Sequence, residues 1–322
     1  MQIIDISANG LTTLDVATMA MLKDDYGIET HHIEASVLSA LTSMRVASAL
    51  KKTNAEVVVC RRRKDAVGAV DARRLADTGC TPVIVYAPQT EEELSDKLPP
   101  ATVAGLAAIV VPTASDGARP HLKGEKTVVI EPGGERNTKN SNPGGEGNTK
   151  NGNECVTTND VRIRSTPLRI SWFGPIEEYT RLENAVAAVG QTGKGVFALH
   201  VYGTGPARSV MPIVKGARHM EHLDIIWHGD EEVTDQELSS TDLAIATTRI
   251  PNATDIRLRS MGIPVLDAGD AGILARTLKT VAADGSVPAT LSETALTEYN
   301  TRFSLRFHVE QWRNLIFSIR EK

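Results

Sequence analysis

Three apolar segments in the second half of the chain each end at a glycine-bearing loop that precedes a segment of helical character. The segments and their glycines are Leu168–Phe173 with Gly174, Phe197–Tyr202 with Gly203 and Gly205, and Leu223–His228 with Gly229. In an open parallel sheet, ligands bind beyond the carboxyl ends of the strands, where glycines let backbone amides approach phosphate oxygens. The second half is therefore predicted to form a parallel α/β sheet that binds a phosphorylated ligand through these four glycines.

The same alternation of apolar strands and helices fills the first part of the chain. Six strands are predicted, at Gln2–Ser7, Ile28–Ile33, Glu56–Cys60, Thr81–Ala87, Leu106–Pro112 and Lys126–Ile130. Helices are predicted at Thr13–Tyr26, Ala35–Lys52 and Ala66–Asp77. Such alternation is typical of a parallel sheet covered on both faces. We predict an N-terminal α/β domain over residues 1–131.

The second domain is predicted over residues 166–289, where strands and helices alternate again. Besides the three strands named above, two more are predicted at Asp242–Thr247 and Ile263–Asp267. Helices are predicted at Tyr179–Val189, Ser209–His219, Thr234–Ser239, Asp255–Met261 and Ala271–Ala283. The remaining residues, 290–322, carry a helical stretch, Thr290–Ile319, whose aromatic side chains are too many to stay in water. This stretch is expected to pack along a domain face or to return to the first domain.

Residues 132–165 are predicted to link the two domains. An eleven-residue segment, Pro132–Asn142, is followed by a copy, Pro143–Asn153, that differs at two positions. Neither copy contains an apolar side chain, so burial cannot offset the ~1–2 kcal/mol per residue that ordering a backbone costs. We interpret the segment as a disordered linker.

Deletion of one eleven-residue copy is expected to leave the melting temperature and any activity nearly unchanged. Halving a flexible loop changes its closure free energy by only ~0.6 kcal/mol. Differential scanning calorimetry on the shortened chain tests this expectation. A large loss of stability would mean that the repeat makes structural contacts.

Composition restricts the partners and the compartment. The chain has 322 residues and a formal net charge of -5, so it offers no overall attraction for nucleic acid. Its cysteines, Cys60, Cys80 and Cys155, lack the spacing of a metal site, and we expect free thiols and no metal. Asp5 interrupts the segment where a signal peptide would be apolar, and no uncharged run reaches the ~20 residues of a membrane span. A cytoplasmic protein is predicted.

The order of these segments resembles the GT-B glycosyltransferases, specifically the group 1 family of retaining, nucleotide-sugar-dependent enzymes. The resemblance covers most of the chain. Its segments are Leu168–Gly174, Leu199–Pro206, Ile225–Gly229, Asp242–Ala246 and Met261–Val265 in the second half, and Pro82–Tyr86, Ile109–Thr113 and Val128–Gly133 in the first. The resemblance implies two Rossmann-like domains with a cleft between them and a C-terminal helix. The first domain would bind an acceptor, and the second a nucleotide-sugar donor.

The resemblance implies transfer of a sugar from a nucleoside diphosphate donor to a glycan or lipid-linked acceptor, in surface polysaccharide assembly. The donor is a substrate, and no further cofactor is implied. Family members carry two glutamates, seven apart, before the segment that matches Met261–Val265, but Arg249–Arg259 contains none. Their absence favours a catalytically silent binding protein that assists a partner transferase, whereas the glycine loops favour an active enzyme. A sugar-nucleotide epimerase of the same architecture is a third reading.

Candidate donor-site residues follow from the resemblance. Arg249 and Arg257 are placed to neutralise the leaving diphosphate, because arginine makes bidentate contacts to phosphate. Asp255 is a candidate for a ribose or sugar hydroxyl, with Asn252 beside it in the nucleotide site. Backbone amides around Asn9 and Gly10 are expected to add partial positive charge to the same site.

Candidate acceptor-site residues follow the predicted strand ends of the first domain. Arg61 and Lys64 belong to a basic run after the third strand, and Gln89 follows the fourth. They are candidates for binding an anionic acceptor such as a lipid-linked phosphate, which includes peripheral contact with the inner face of the membrane. The alternative for the basic run is a solvated helix start. The sequence carries no signal for oligomeric state.

Overall fold

The structure is a computed structural model that describes residues 1–7, 12–34, 39–75, 81–88, 91–124, 126–134, 167–177, 181–220, 223–248 and 251–320. It divides into two compact units, one formed by residues 1–134 and 302–322 and the other by residues 135–301. Several predictions lie outside the described residues: the roles of Asn9, Gly10, Gln89 and Arg249, the thiols of Cys80 and Cys155, and all but the start of the repeat linker.

The first unit is built on a parallel sheet of six strands in the order β2-β1-β3-β4-β5-β6. In chain order its strands are β1 (Gln2–Ser7), β2 (Glu29–Glu34), β3 (Val57–Cys60), β4 (Val83–Tyr86), β5 (Ala108–Val111) and β6 (Thr127–Val129). Its helices are α1 (Thr13–Tyr26), α2 (Ser39–Thr53), α3 (Arg63–Leu75), α4 (Glu91–Ser95), α5 (Pro100–Gly105) and α6 (Ala114–Gly117). The predicted N-terminal parallel sheet is confirmed.

The second unit holds a parallel sheet of five strands in the order β11-β10-β7-β8-β9. The strands are β7 (Leu168–Phe173), β8 (Phe197–Tyr202), β9 (Asp224–Gly229), β10 (Leu243–Ala246) and β11 (Val265–Asp267). The helices are α7 (Leu182–Gly190), α8 (Ala207–Arg218), α9 (Asp235–Ser239), α10 (Ala253–Ser260), α11 (Ala271–Ala283) and α12 (Val287–Glu298). This order places β7 at the centre, so the loops after β7, β8 and β10 meet at one edge of the sheet.

Local chemistry explains where helix α1 begins and ends. Thr12 accepts a hydrogen bond from the backbone N–H of Asp15, and the Asp15 carboxylate accepts one from the backbone N–H of Thr12. This reciprocal cap satisfies two N–H groups that the helix itself leaves unpaired. Gly27 ends the helix in the left-handed conformation, with φ of 65°, which costs glycine least.

The C-terminal segment departs from the single helical stretch that we predicted. Helix α12 packs in the second unit, a π-helical turn spans Tyr299–Phe303, and helix α13 (Leu305–Arg320) belongs to the first unit. The apolar face of α13, which includes Trp312 and Ile316, packs against the first sheet and helix α1.

Glu131 accepts hydrogen bonds from Arg302 and His308 and so joins α13 to the chain after β6. A π-helical turn breaks the 3.6-residue pattern only locally, so periodicity does not reveal it.

Other differences from the sequence prediction are small. The short helices α4, α5 and α6 were not predicted, because four to six residues are too few for a periodic pattern. Helix α3 begins at Arg63, three residues before the predicted start at Ala66, where the buried carboxylate of Asp65 accepts two hydrogen bonds from Arg62. None of the described helices is long and apolar enough to cross a membrane.

Candidate donor pocket

A cavity of about 420 Å³ lies at the carboxyl ends of β7, β8 and β9 in the second unit. Three of the predicted glycines, Gly174, Gly203 and Gly229, line it together with Thr204 of the loop after β8. Its other lining residues are Phe173, Pro175, Tyr202, Asp230, Glu231, Val233 and Thr254. The structure thus brings the strand-end glycines together at one concave site, which is where a parallel sheet binds its ligands.

The glycines allow the loops after β7 and β8 to pack backbone against backbone. A Cβ atom at Gly203 would lie 1.8 Å from the carbonyl oxygen of Gly174, and one at Gly205 would lie 1.9 Å from that of Ile176. Both distances are far below van der Waals contact. Only glycine fits at these two positions, so the pocket wall depends on them.

Two of the amides that we predicted to face phosphate are bonded within these loops. The Gly174 N–H donates to the Tyr202 carbonyl oxygen at 2.9 Å, and the Gly203 N–H donates to the Gly229 carbonyl oxygen at 2.6 Å. Ile176 N–H likewise donates to the Thr204 carbonyl oxygen at 2.9 Å. These hydrogen bonds extend the strand pairing into the loops and fix the shape of the pocket wall.

Helix α10 begins at the pocket, where Thr254 of its first turn contributes to the lining. The Asn252 side chain accepts a hydrogen bond from the Asp255 N–H at 2.9 Å, and the Asp255 carboxylate accepts one from the Asn252 N–H at 3.2 Å. Asn252 also donates to the Thr247 hydroxyl at 3.1 Å, and Thr247 packs against Gly174. Asn252 and Asp255, predicted as ligand contacts, therefore orient the positive end of α10.

Asp255 is expected to make stability depend on pH. Its carboxyl group is 3% exposed, and burial raises its pKa to about 6. A pKa above the unfolded value of about 3.9 means that Asp255 contributes most to stability below pH 4, and that this contribution falls by about 3 kcal/mol as pH rises through 6. The variant Asp255→Asn keeps an acceptor for the Asn252 N–H. The melting temperature of Asp255→Asn minus that of the parent should increase from pH 4 to pH 7. A difference that stays constant over this range would contradict the prediction.

Two arginines of helix α10 are held in ion pairs: Arg257, which was predicted near the donor, and Arg259. Arg257, whose side chain is 35% exposed, is ion-paired with Asp235 at the start of α9. Arg259 pairs with Glu298 of α12 at 3.2 Å and also donates to the carbonyl oxygen of Asp255. Arg257 thus remains partly accessible to a ligand, while Arg259 stabilises the packing of α10 on α12.

A stack of rings runs from the pocket along one face of the sheet. The Phe173 and Tyr202 rings stack with centroids 5.1 Å apart, and the Tyr202 and His228 rings are nearly parallel with centroids 3.9 Å apart. His200 Nδ1 lies 3.0 Å from His228 Nε2. Burial, with further contributions from Arg169 and His228, lowers the pKa of His200 to about 4, so this ring is neutral near pH 7. The stack fixes the plane of the His228 ring.

Two acidic residues of the loop after β9 line the pocket, and neither was predicted from the sequence as a site residue. Asp230 and Glu231 are exposed, and Glu231 Oε2 lies 3.1 Å from His228 Nδ1. The run Gly229–Glu232 follows a predicted strand end, which is the signal that could have identified them. Among the described residues, no lysine or arginine lines this pocket.

The nearest approach to a metal-ligand set in the described part of the chain also involves this loop. Ligand atoms of His228, Glu231 and Glu237 lie within 4.8 Å of one another. Glu237 caps helix α9 by accepting hydrogen bonds from the Thr234 N–H at 2.7 Å and its hydroxyl at 3.0 Å. That carboxylate already has a structural role, and the sequence prediction of no metal stays a prediction.

In the first unit, Arg61 lies in a buried charge cluster. It donates to Asp5 at 2.8 Å and to Asp15 at 3.0 Å, and its guanidinium lies 5.7 Å from the centre of the Trp312 ring. Burial raises the pKa of Asp5, partly offset by Arg61. The structure thus commits Arg61 to internal contacts and does not place it on a solvated helix start. Lys64, in the first turn of α3, is partly exposed.

Comparison with known proteins gives the class of fold. No family model matches the sequence, and no curated protein sequence is significantly similar. The fold is GT-B, as predicted: the lipopolysaccharide outer core galactosyltransferase WaaB, in its apo form, aligns with a TM-score of 0.69 and 13% identity over 99% of both chains.

Two further GT-B structures align over nearly the whole chain. Anabaena HepE in complex with UDP and glucose has a TM-score of 0.65 and 13% identity over 99% of this chain and 100% of its own. A Rickettsia africae glycosyltransferase has a TM-score of 0.65 and 12% identity over 99% of this chain and 98% of its own.

Proposed function

We propose that the protein is a glycosyltransferase that takes a sugar from a nucleoside diphosphate donor bound in the pocket of the second unit. The observation that carries the proposal is the pocket itself, a cavity of about 420 Å³ at the carboxyl ends of three parallel strands beside the start of α10. The similar structures add support, because HepE is in complex with UDP and glucose, and WaaB is a galactosyltransferase. The acceptor would be a glycan or a lipid-linked acceptor.

Electrostatic stabilisation would carry the chemistry. Departure of a nucleoside diphosphate builds positive charge on the anomeric carbon and negative charge on the leaving phosphate, and preorganised dipoles and cations lower the barrier. The N-terminus of α10 supplies a partial positive charge at the pocket. Arg257, which is partly exposed but does not line the pocket, is the cation of α10 that we propose for the leaving group, together with Arg249, which precedes α10 in the sequence.

Arg249→Ala and Arg257→Ala are each expected to cost about 2–4 kcal/mol of transition-state stabilisation, because each removes a cation from the leaving diphosphate. Lysine at either position should restore only part of the rate, since it lacks the planar fork. Steady-state kinetics would measure the loss, with Arg276→Ala on the exposed face of α11 as the control. Unchanged turnover in both alanine variants would exclude these two roles.

The proposal is tested by incubating the full chain with a panel of nucleotide sugars, with and without glycan acceptors, and measuring released nucleoside diphosphate. We expect release with at least one donor, and faster release when an acceptor is present. Binding of a nucleotide sugar with no release from any donor would favour the second candidate, a silent GT-B-like binding protein. That candidate is supported by Asp255, whose carboxylate is buried in a helix cap instead of facing a ligand.

A further inference from the structure

Two residues of the loop after β9 that line the pocket carry carboxylate oxygens with no hydrogen-bond partner among the described residues. The Asp230 carboxylate makes no such bond, and Glu231 uses only Oε2, leaving Oε1 without one. Both residues line the cavity beside Gly229, and no basic residue lines it within the part of the chain that the structure describes. This side of the pocket is therefore negative and rich in hydrogen-bond acceptors.

The negative charge of the loop after β9 determines which part of a nucleotide sugar can bind beside it. Two carboxylates repel a diphosphate, so the phosphates would lie nearer the start of α10 than the loop after β9. Ionised carboxylates accept hydrogen bonds only, and hydroxyl groups are donors of matching geometry. Each carboxylate oxygen has two lone pairs, so Glu231 can accept from both hydroxyls of a vicinal diol while Oε2 also accepts from His228. A diol of the donor fits this side of the pocket.

Glu231 is held in place by the ring stack. Because a carboxylate cannot donate, the proton between His228 and Glu231 belongs to His228 Nδ1, 3.1 Å from Glu231 Oε2. In neutral His228 the other nitrogen, Nε2, is then an acceptor, and His200 Nδ1 can donate to it at 3.0 Å. Stacking on Tyr202 fixes the plane of the His228 ring. One oxygen of Glu231 is thereby oriented by the protein, and the other remains available to a ligand.

We propose that Glu231 binds a vicinal diol of the nucleotide-sugar donor through its carboxylate, and that His228 is the positioning residue that orients it. The inference rests on the proposed function, because it assigns the pocket to the same donor. The diol belongs either to the ribose or to the transferred sugar. Both present the same chemistry, and the two sources are separated by the choice of ligand.

The test is calorimetric titration of the full chain, in the presence of EDTA, with whichever of UDP, ADP and GDP binds most tightly. Its 2′-deoxy analogue and its glucose conjugate are titrated in parallel. Glu231→Gln should weaken binding of the diol-bearing ligand about 10-fold to 100-fold, the range for a hydrogen bond to a charged group. The adjacent Glu232→Gln is the matched control, since Glu232 is exposed and does not line the pocket.

Each outcome has a defined meaning. A ribose site predicts that the preference for ribose over 2′-deoxyribose disappears in Glu231→Gln. A sugar site predicts that Glu231→Gln loses only the additional affinity that the attached glucose gives. Equal affinities of Glu231→Gln and the parent for all three ligands would overturn the inference and leave the proposed function intact. Failure of the parent to bind any nucleotide or nucleotide sugar would overturn both.

The role of His228 has its own readout. His228→Gln should reduce the same ligand preference. The double variant should lose no more affinity than Glu231→Gln alone, because the effects of residues that act as a unit are not additive. Additive losses in the double variant, with the ligand preference kept in His228→Gln, would assign His228 a structural role instead.

Discussion

Replacement of Arg61 by alanine is expected to lower the stability of the first unit by about 3–5 kcal/mol, because it leaves two buried carboxylates without their counter-charge. Asp5 is 3% exposed and Asp15 is 7% exposed, so water cannot replace the guanidinium effectively. The variant also loses the contact with Trp312 of α13. Native-state hydrogen exchange resolved by peptide is the appropriate measurement, since the two units can open separately. Peptides of β1 and β3 should lose protection.

The matched control for this prediction is Arg63→Ala, two residues along the same basic run. Arg63 pairs with Asp96 at 3.8 Å, and both side chains are more than two-fifths exposed. Such a surface pair contributes about 0–1 kcal/mol. Peptides of β8, in the other unit, should keep their protection in both variants. Equal and small effects of Arg61→Ala and Arg63→Ala would mean that the buried cluster does not exist as described.

Gly203→Ala is expected to destabilise the second unit by about 3 kcal/mol, the upper end of the range for overpacking. The new methyl group would lie 1.8 Å from the Gly174 carbonyl oxygen, and neither backbone segment can move without breaking the hydrogen bonds that extend the sheet. If the proposed function holds, nucleotide affinity should fall as well, because both loops line the candidate donor pocket. Hydrogen exchange of β7 and β8 peptides, combined with nucleotide titration, measures the two effects.

Gly216→Ala on helix α8 is the control for the glycine prediction. A Cβ atom there meets nothing within 4 Å, and alanine favours the helix over glycine by about 1 kcal/mol. This variant should therefore be as stable as the parent or slightly more so. If Gly203→Ala were equally harmless, the close approach of the two loops would be wrong, and the pocket shape with it.

The secondary structure followed closely from local sequence signals where those signals are strong. Helix α1 and the strands β1, β7 and β8 have the predicted bounds, because a cap, a terminal glycine or a continuous buried run marks each of them. Sequence could not reveal that Thr290–Ile319 divides between the two units, since that depends on which apolar surface each half meets. Propensity and periodicity describe neighbours within about one turn, not distant partners.

The candidate site was predicted only in part for the same reason. Glycines at strand ends are visible in sequence, and the structure brings Gly174, Gly203 and Gly229 to one pocket. The pairing of Arg61 with Asp5 joins residues 56 positions apart, so a basic run looked like a surface for anionic acceptors. Glu231 was overlooked because an exposed carboxylate after a strand is common, and only the structure places it beside His228 at the pocket.

A crystal structure of the full chain with UDP-glucose, or with the donor that the panel identifies, would show whether the pocket of the second unit binds a nucleoside diphosphate sugar. We expect density for the nucleotide against Gly174, Gly203 and Gly229, with a diol within hydrogen-bond distance of Glu231. Donor density at another site, with this pocket free of it, would contradict the claim.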